Sequence, residues 1–266
     1  MSKISFNNST DILNMNIFFP QNIFTELMKS SFDERVASQI SFLPSSLITG
    51  KVLKNPDSVG LIPTMDLIGH KDLFISKSFG ISFEESLCNS YFYFLTHGKD
   101  IKVISLVGDV SSNEAIGGKL ILKELYGVDV EVNLLAGNQN RSEKNILLAG
   151  DINFDDDIFL TGISFAEEII EVLSLPYVNF VLASNNQVVL EDFYNSAKGV
   201  QSRIYNQAEE GNFGAGLSAE AKKKIKESIS SFVCNLDGQD TDGIDQLLRL
   251  AFYHEIISEI IEVKYV

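Results

Sequence analysis

Positive charge is scarce in this chain: 21 lysines and arginines face 36 aspartates and glutamates, a formal net charge of −15. That balance excludes a broad electropositive track, so neither nucleic acid nor an anionic membrane is expected as a partner. Any bound anion has to be met locally. Cysteine is almost absent, with only Cys88 and Cys234, far apart and without a soft ligand beside either, so neither a disulfide framework nor a zinc cage can be built. His70, His97 and His254 have no partner at ligand spacing, and no metal site is expected. Long apolar runs are missing too, and residues 1–21 hold Asp11 and several asparagines in place of a leader's apolar stretch. No membrane span is therefore expected, and the protein reads as cytoplasmic.

Several motifs of known chemistry fail on inspection. The GxGxxA pattern at 214–219 follows a polar stretch rather than a buried strand, so it reads as a turn whose Ser218 caps the next helix. Gly118-Lys119 is followed by Leu120 where a phosphate-binding loop requires a hydroxyl, and no GxSxG elbow exists for a covalent mechanism. The acidic runs at 151–157 and 237–245 miss the calcium-loop register and read as solvated loops and helix caps.

What is present is an ordinary globular composition, 45% hydrophobic and 21% charged over 266 residues, enough for one large domain or two small lobes. Apolar runs rich in β-branched and aromatic residues at 36–43, 58–62, 91–95, 101–107, 128–135, 145–149 and 177–183 predict strands. Helical patterns at 45–54, 113–126 and 164–173 alternate with them, which implies an α/β sheet with parallel members. After Asn186 the pattern changes to three helical segments, 188–207, 218–233 and 244–263. With no repeat and no Pro/Ser-rich linker, two lobes joined by crossing segments fit best.

The strand at 101–107 runs into Gly108-Asp109-Val110-Ser111-Ser112-Asn113-Glu114 and then a helix that Gly127 stops. Ser111 and Glu114 have capping-box spacing. The same turn, with Ser111, Ser112, Asn113 and free N–H groups at the carboxyl end of a strand, could equally hold a small carboxylate. Pro44-Ser45-Ser46-Leu47 opens another helix after a strand, and Pro63-Thr64-Met65 puts a hydroxyl at the end of the strand at 59–62.

Taken in order, these segments resemble the chorismate dehydratase family of the futalosine route to menaquinone. Ile4-Ser5-Phe6-Asn7-Asn8-Ser9 is similar to that family's opening strand, with Asn8 at its functional asparagine. Pro44-Ser45-Ser46-Leu47 and Val59-Gly60-Leu61-Ile62-Pro63-Thr64 resemble its first helix start and its GLIPS strand end. Leu87-Cys88-Asn89-Ser90 matches the first crossing segment, Gly150-Asp151 the IGD strand end, and Leu175-Pro176-Tyr177-Val178 the LPFV return crossing, without the tryptophans that accompany it, since the chain has none. Ser111 stands at the first serine of the family's S-x-T-S, whereas Asn113 and Glu114 replace its threonine and second serine.

The resemblance implies a two-lobed clamshell like the type 2 periplasmic binding proteins, with residues 1–96 and 183–266 forming lobe one and its C-terminal helices, and 97–182 an inserted lobe two. It implies a dehydratase that needs no cofactor and acts on chorismate or a similar small cyclic carboxylate held between the lobes. Asn8 and Asp151 would be catalytic, Asp151 as the candidate base, and Ser45, Ser46, Thr64, Asn89, Ser90, Ser111, Ser112 and Asn113 would line the ligand. The acids Asp11 and Glu114 at an anion site favour a different outcome, a binding protein that keeps the clamshell without the chemistry. An interaction protein using an exposed apolar stripe on 244–261 is a third expectation.

Overall fold

The computed structural model describes residues 15–95, 98–135 and 143–266. In chain order its elements are β1 (Asn16–Pro20), α1 (Ile23–Ser30), α2 (Glu34–Gln39), β2 (Ile40–Leu43), α3 (Ser45–Lys54), β3 (Ser58–Pro63), β4 (Phe74–Phe83), β5 (Ser90–Tyr93), β6 (Val103–Gly108), α4 (Gly118–Tyr126), β7 (Glu131–Leu134), β8 (Ile146–Ala149), β9 (Ile163–Ser164), α5 (Phe165–Leu173), β10 (Tyr177–Ser184), α6 (Gln187–Ser196), α7 (Val200–Glu210), α8 (Ala219–Ser228), β11 (Phe232–Val233), α9 (Gly238–Tyr253) and β12 (Lys264–Tyr265).

Two sheets form. The first has the order β11-β4-β10-β3-β1-β2, with β12 also on β4, and the second β7-β6-β8-β5-β9. Within them β1 runs parallel to β2 and β3, and β6 parallel to β7 and β8, as strand–helix alternation requires. The long β10 lies antiparallel between β3 and β4. Its side chains alternate between two cores: Tyr177, Phe180 and Leu182 join the core on one face, Val178, Val181 and Ala183 that on the other. Helices α1, α6 and α7 cover the first face with Phe24, Phe193 and Ile204, while Ile48 and Val52 of α3 and Ile244 and Leu248 of α9 cover the second. In lobe two, α4 and α5 bury Leu120, Ile121 and Ile169 against Ile104, Leu106 and Leu147.

The sheets exchange earlier than the expected boundaries at 96/97 and 182/183: β5 already belongs to the second sheet at Ser90, and β10 is back in the first at Tyr177. The crossings are therefore residues 84–89 and 174–176. Three other expectations are corrected. Residues 36–39 finish α2, which Asp33 caps, and only Ile40–Leu43 is strand. The segment 188–207 is two helices broken where Gly199 takes φ 79°. The third helix starts earlier, at Gly238 behind an Asp237 cap, and stops at Tyr253; of the expected apolar stripe, Ile244, Leu247 and Leu248 are core, while Tyr253, Ile256 and Ile260 are exposed.

Gly108 closes β6 at φ 92°, and a Cβ there would sit 1.9 Å from the Ala149 carbonyl oxygen. Gly127, at φ 68° after α4, has open space around the same position. Gly108→Ala is expected to lower stability by about 2–4 kcal/mol, against about 1 for Gly127→Ala. Urea unfolding of both variants checks this, and equal losses would mean the β6 end is not held against β8.

Candidate functional site

The strands β1, β2 and β3 run parallel, so their carboxyl ends lie together, and each leads into a helical turn whose leading N–H groups find no partner within that turn. Side chains from lobe two complete all three. Ile23 donates its backbone N–H to Asp151 Oδ1 at 2.9 Å. Ser45 donates its N–H to both oxygens of Asp109, at 3.0 and 3.1 Å, and its hydroxyl to Oδ2 at 2.6 Å. Met65 donates its N–H to Asn113 Oδ1 at 2.9 Å. This row is the seam between the lobes.

One local device, used twice, aims the two acids. β6 and β8 are parallel neighbours in register Gly108↔Ala149, and each ends in Gly-Asp. Gly108 and Gly150 take φ 92° and 97°, a left-handed turn that ends each strand and leaves Asp109 and Asp151 together on the lobe-one side. Burial raises the Asp109 carboxyl despite the Ser45 donors. Burial also pushes Asp151 up to about 6; the Ile23 N–H opposes the shift, and Glu26, Asp155 and Asp109, all negative, add to it.

Behind the seam the end of the first crossing, the start of β10 and Asn113 meet in a buried polar network. Asn113 donates from Nδ2 to the backbone oxygen and Oδ1 of Asn179, at 2.6 and 2.7 Å. Asn179 donates to Asn89 Oδ1 at 3.0 Å, and the Tyr177 hydroxyl donates to Asn179 Oδ1 at 2.9 Å. Glu114 is buried beside it, with Oε2 accepting from the Ser111 N–H and hydroxyl and Oε1 from the Ser90 hydroxyl. Burial raises its pKa against those three donors.

The structure thus sorts the expected site residues. Ser45 and Asp151 lie on the seam, from opposite lobes. Asn113 reaches it while also tying the crossing. Thr64 is buried and donates its hydroxyl to the Val178 carbonyl at 2.6 Å, so it is a tie between β3 and β10 rather than a free donor. Asn89, Ser90 and Ser111 are buried and bonded within the network; Glu114 reaches back to the Ser111 N–H, as the capping-box spacing implies. Ser46 is exposed on α3. The Ser112 hydroxyl is buried without a partner among the described residues. Asn8 lies outside the described residues, and the first strand of the described sheet is Asn16–Pro20, whose following Asn22 caps α1. Sequence reasoning missed Asp109, Asn179 and the N–H of Ile23. The signal for Asp109 was there: Leu106-Val107-Gly108-Asp109 and Leu148-Ala149-Gly150-Asp151 are the same strand ending written twice. Among the described residues, no group of three His, Cys, Asp or Glu side chains could hold a metal ion.

No family model matches the chain, and no curated protein sequence matches it. Solved structures do. The chain is similar to protein AF1704 from Archaeoglobus fulgidus, with a TM-score of 0.66 and 14% identity over 94% of this chain and 100% of that one. It is similar to the CA3427 gene product of Candida albicans, described as exhibiting the generic periplasmic binding protein structural fold, with a TM-score of 0.60 and 12% identity over 92% and 90% of the two chains. A third likeness is to the periplasmic aliphatic sulphonate binding protein SsuA of Escherichia coli, at 0.57 and 12% over 94% and 96%. The fold is therefore the two-lobed, periplasmic binding protein-like α/β clamshell.

Asn113→Ala would leave the Met65 N–H without its acceptor and remove a buried donor from both Asn179 oxygens, of which Oδ1 keeps only the Tyr177 hydroxyl. A loss of about 2–4 kcal/mol is expected in denaturant unfolding, against less than about 0.5 for Ser46→Ala on the exposed face of α3. Comparable small losses for both would show that the network does not hold the lobes.

Proposed function

We propose that the protein closes on a small carboxylate held between its lobes, with the N–H groups of Ile23 and Ser45 and the Ser45 hydroxyl as its donors. The observation that carries this is that these groups, at the ends of β1 and β2, bond carboxylate oxygens across the seam. They select the chemistry of a carboxylate, whichever molecule presents it. When the lobes part, Asp109 and Asp151 withdraw and the same donors face the gap. Ligand hydroxyl or amino groups then meet the two acids on the lobe-two wall. The fold supports the reading by analogy: one similar protein is described as binding aliphatic sulphonates, which are small anions.

A second reading, dehydration of chorismate or a similar ring, is favoured by Asp151. It stands at the position that resembles the family's IGD motif, and its carboxyl, pushed up to about 6, is matched to taking a proton near neutral pH. In that reaction Asp151 would accept a ring proton and pass it to the departing hydroxyl, which leaves as water as the ring becomes aromatic. No cofactor is needed for that balance. Ser45 would hold the substrate carboxylate at the N-terminus of α3.

A thermal-shift screen of small mono- and dicarboxylates, chorismate among them, tests the first reading. A true ligand at a hundred times its Kd should stabilise the protein by about 2.7 kcal/mol. Ser45→Pro, which removes both donors at a first-turn position that tolerates proline, is expected to weaken that shift while the fold persists. No shift with any carboxylate at millimolar concentration would overturn the reading. For the second, chorismate is followed by absorbance: aromatic product should form, and Asp151→Asn should slow it at least about a hundredfold. Absence of product at high protein concentration removes that reading alone.

A further inference from the structure

In this closed arrangement the lobe-one donors are already occupied by the protein's own carboxylates. Asp109 spans the N–H and hydroxyl of Ser45, and Asp151 takes the N–H of Ile23. We infer that Asp109 and Asp151 form a latch between the lobes that stands in for a ligand's carboxylate, and that acid strengthens this latch while rising pH releases it. The inference rests on the reading of the seam as the ligand site, because a ligand and the latch then compete for the same donors.

The sign follows from which state bears the charge at lower free energy. Closing moves both carboxylates out of water and brings Asp151 towards Glu26 of lobe one. The charged groups that face Asp151 are Glu26 from α1, Asp155 from its own 3-10 turn and Asp109 from the end of β6, and all are negative. Asp109 is met by the N–H and hydroxyl of Ser45 from α3. The donors offset part of the desolvation, and for both groups burial wins. Each carboxyl therefore holds a proton more tightly in the closed state than in an open one, where water surrounds it. Lowering the pH favours the closed state; raising it through the closed-state pKa removes that advantage. With Asp151 at about 6 closed and an ordinary value near 3.9 open, the fraction of time spent open falls about tenfold between pH 7 and pH 5. Other contacts with an ionisable partner join the lobes elsewhere: His254 at the end of α9 bonds Glu124 of α4, and the Ser218 hydroxyl donates to Asp157. The test has to separate these from the latch.

Amide hydrogen exchange of the ligand-free full chain, followed residue by residue by NMR, reads the latch directly. The protection factor of the Ile23 amide, which is corrected for the intrinsic pH dependence of exchange, is expected to rise about tenfold from pH 7 to pH 5. His254→Gln should keep that rise. Asp151→Asn keeps an acceptor oxygen at the same place without the titration and should remove most of it. Should Asp151→Asn fail to fold, Asp109→Asn, read at the Ser45 amide, takes its place. Protection factors that are equal at the two pH values in the unmodified protein, or a full rise surviving in the asparagine variant, overturn the inference. Because no ligand is present, a failed carboxylate screen would leave this result standing, and a flat exchange profile would leave the screen standing.

Discussion

Lobe one leaves a leading backbone donor in each of three helical turns to lobe two, even at α1, where Asn22 caps the turn from within. The leading donors of α1, α3 and the turn after β3 end on Asp151, Asp109 and Asn113 of lobe two, and this row of hydrogen bonds joins the halves at the strand ends. α3 shows the dependence most plainly: it starts behind Pro44, which has no side chain that could cap it, so the Asp109 carboxylate does what a cap residue normally does. A hydrogen bond to a charged acceptor contributes about 1.5–3 kcal/mol, and drawing a carboxylate out of water costs a comparable amount. The two oppose each other, so a seam built this way costs less to part than its hydrogen bonds alone would suggest.

The hinge is built on the opposite principle. Asn89, Asn113 and Asn179 are uncharged, and each amide can both donate and accept. Asn179 accepts from Asn113 and Tyr177 and donates to Asn89, which leaves little freedom to slide the first crossing along β10. A fully satisfied buried network of this kind specifies one geometry. Rotation at the crossings can therefore be a defined motion, with the titrating groups confined mainly to the seam. Glu114 is the exception. It has no cation near it in its hydrogen-bond shell, only the donors of Ser90 and Ser111, and it anchors the start of the α4 segment to β5.

The architecture was legible where periodicity and turn chemistry agree. The strand–helix alternation through 45–54, 58–62 and 101–126 gave the parallel strand pairs of the two mixed sheets, and Gly127 and Ser218 end and begin helices as their types require. β4 was missed because its sequence, with Lys77 and Gly80 among serines, has neither clean alternation nor a continuous apolar run, yet nearly all of it is buried between two sets of neighbours. The site was half legible. Ser45 and Asp151 could be placed at strand ends from local pattern, but whether a hydroxyl faces a gap or a carbonyl is a tertiary matter. Thr64 and Ser111 look equally available in sequence; Ser111 spends its hydroxyl on Glu114, the residue its capping-box spacing names, and Thr64 on the Val178 carbonyl, which sequence does not reveal.

The outer side of β4 carries two short strands from distant parts of the chain, β11 at Ser82 and Phe83 and β12 at Phe74 and Ile75. Together they shield what would otherwise be a ten-residue row of unpaired backbone groups. The C-terminal tail is held there by Lys264 on Asp72 and by backbone bonds from Val266 to Ile75 and from Lys77 to Val266. Its last residues thus act as a guard against self-association: a proteolytic cut in 254–263 would strip that cover and offer one end of β4 as a template to another chain.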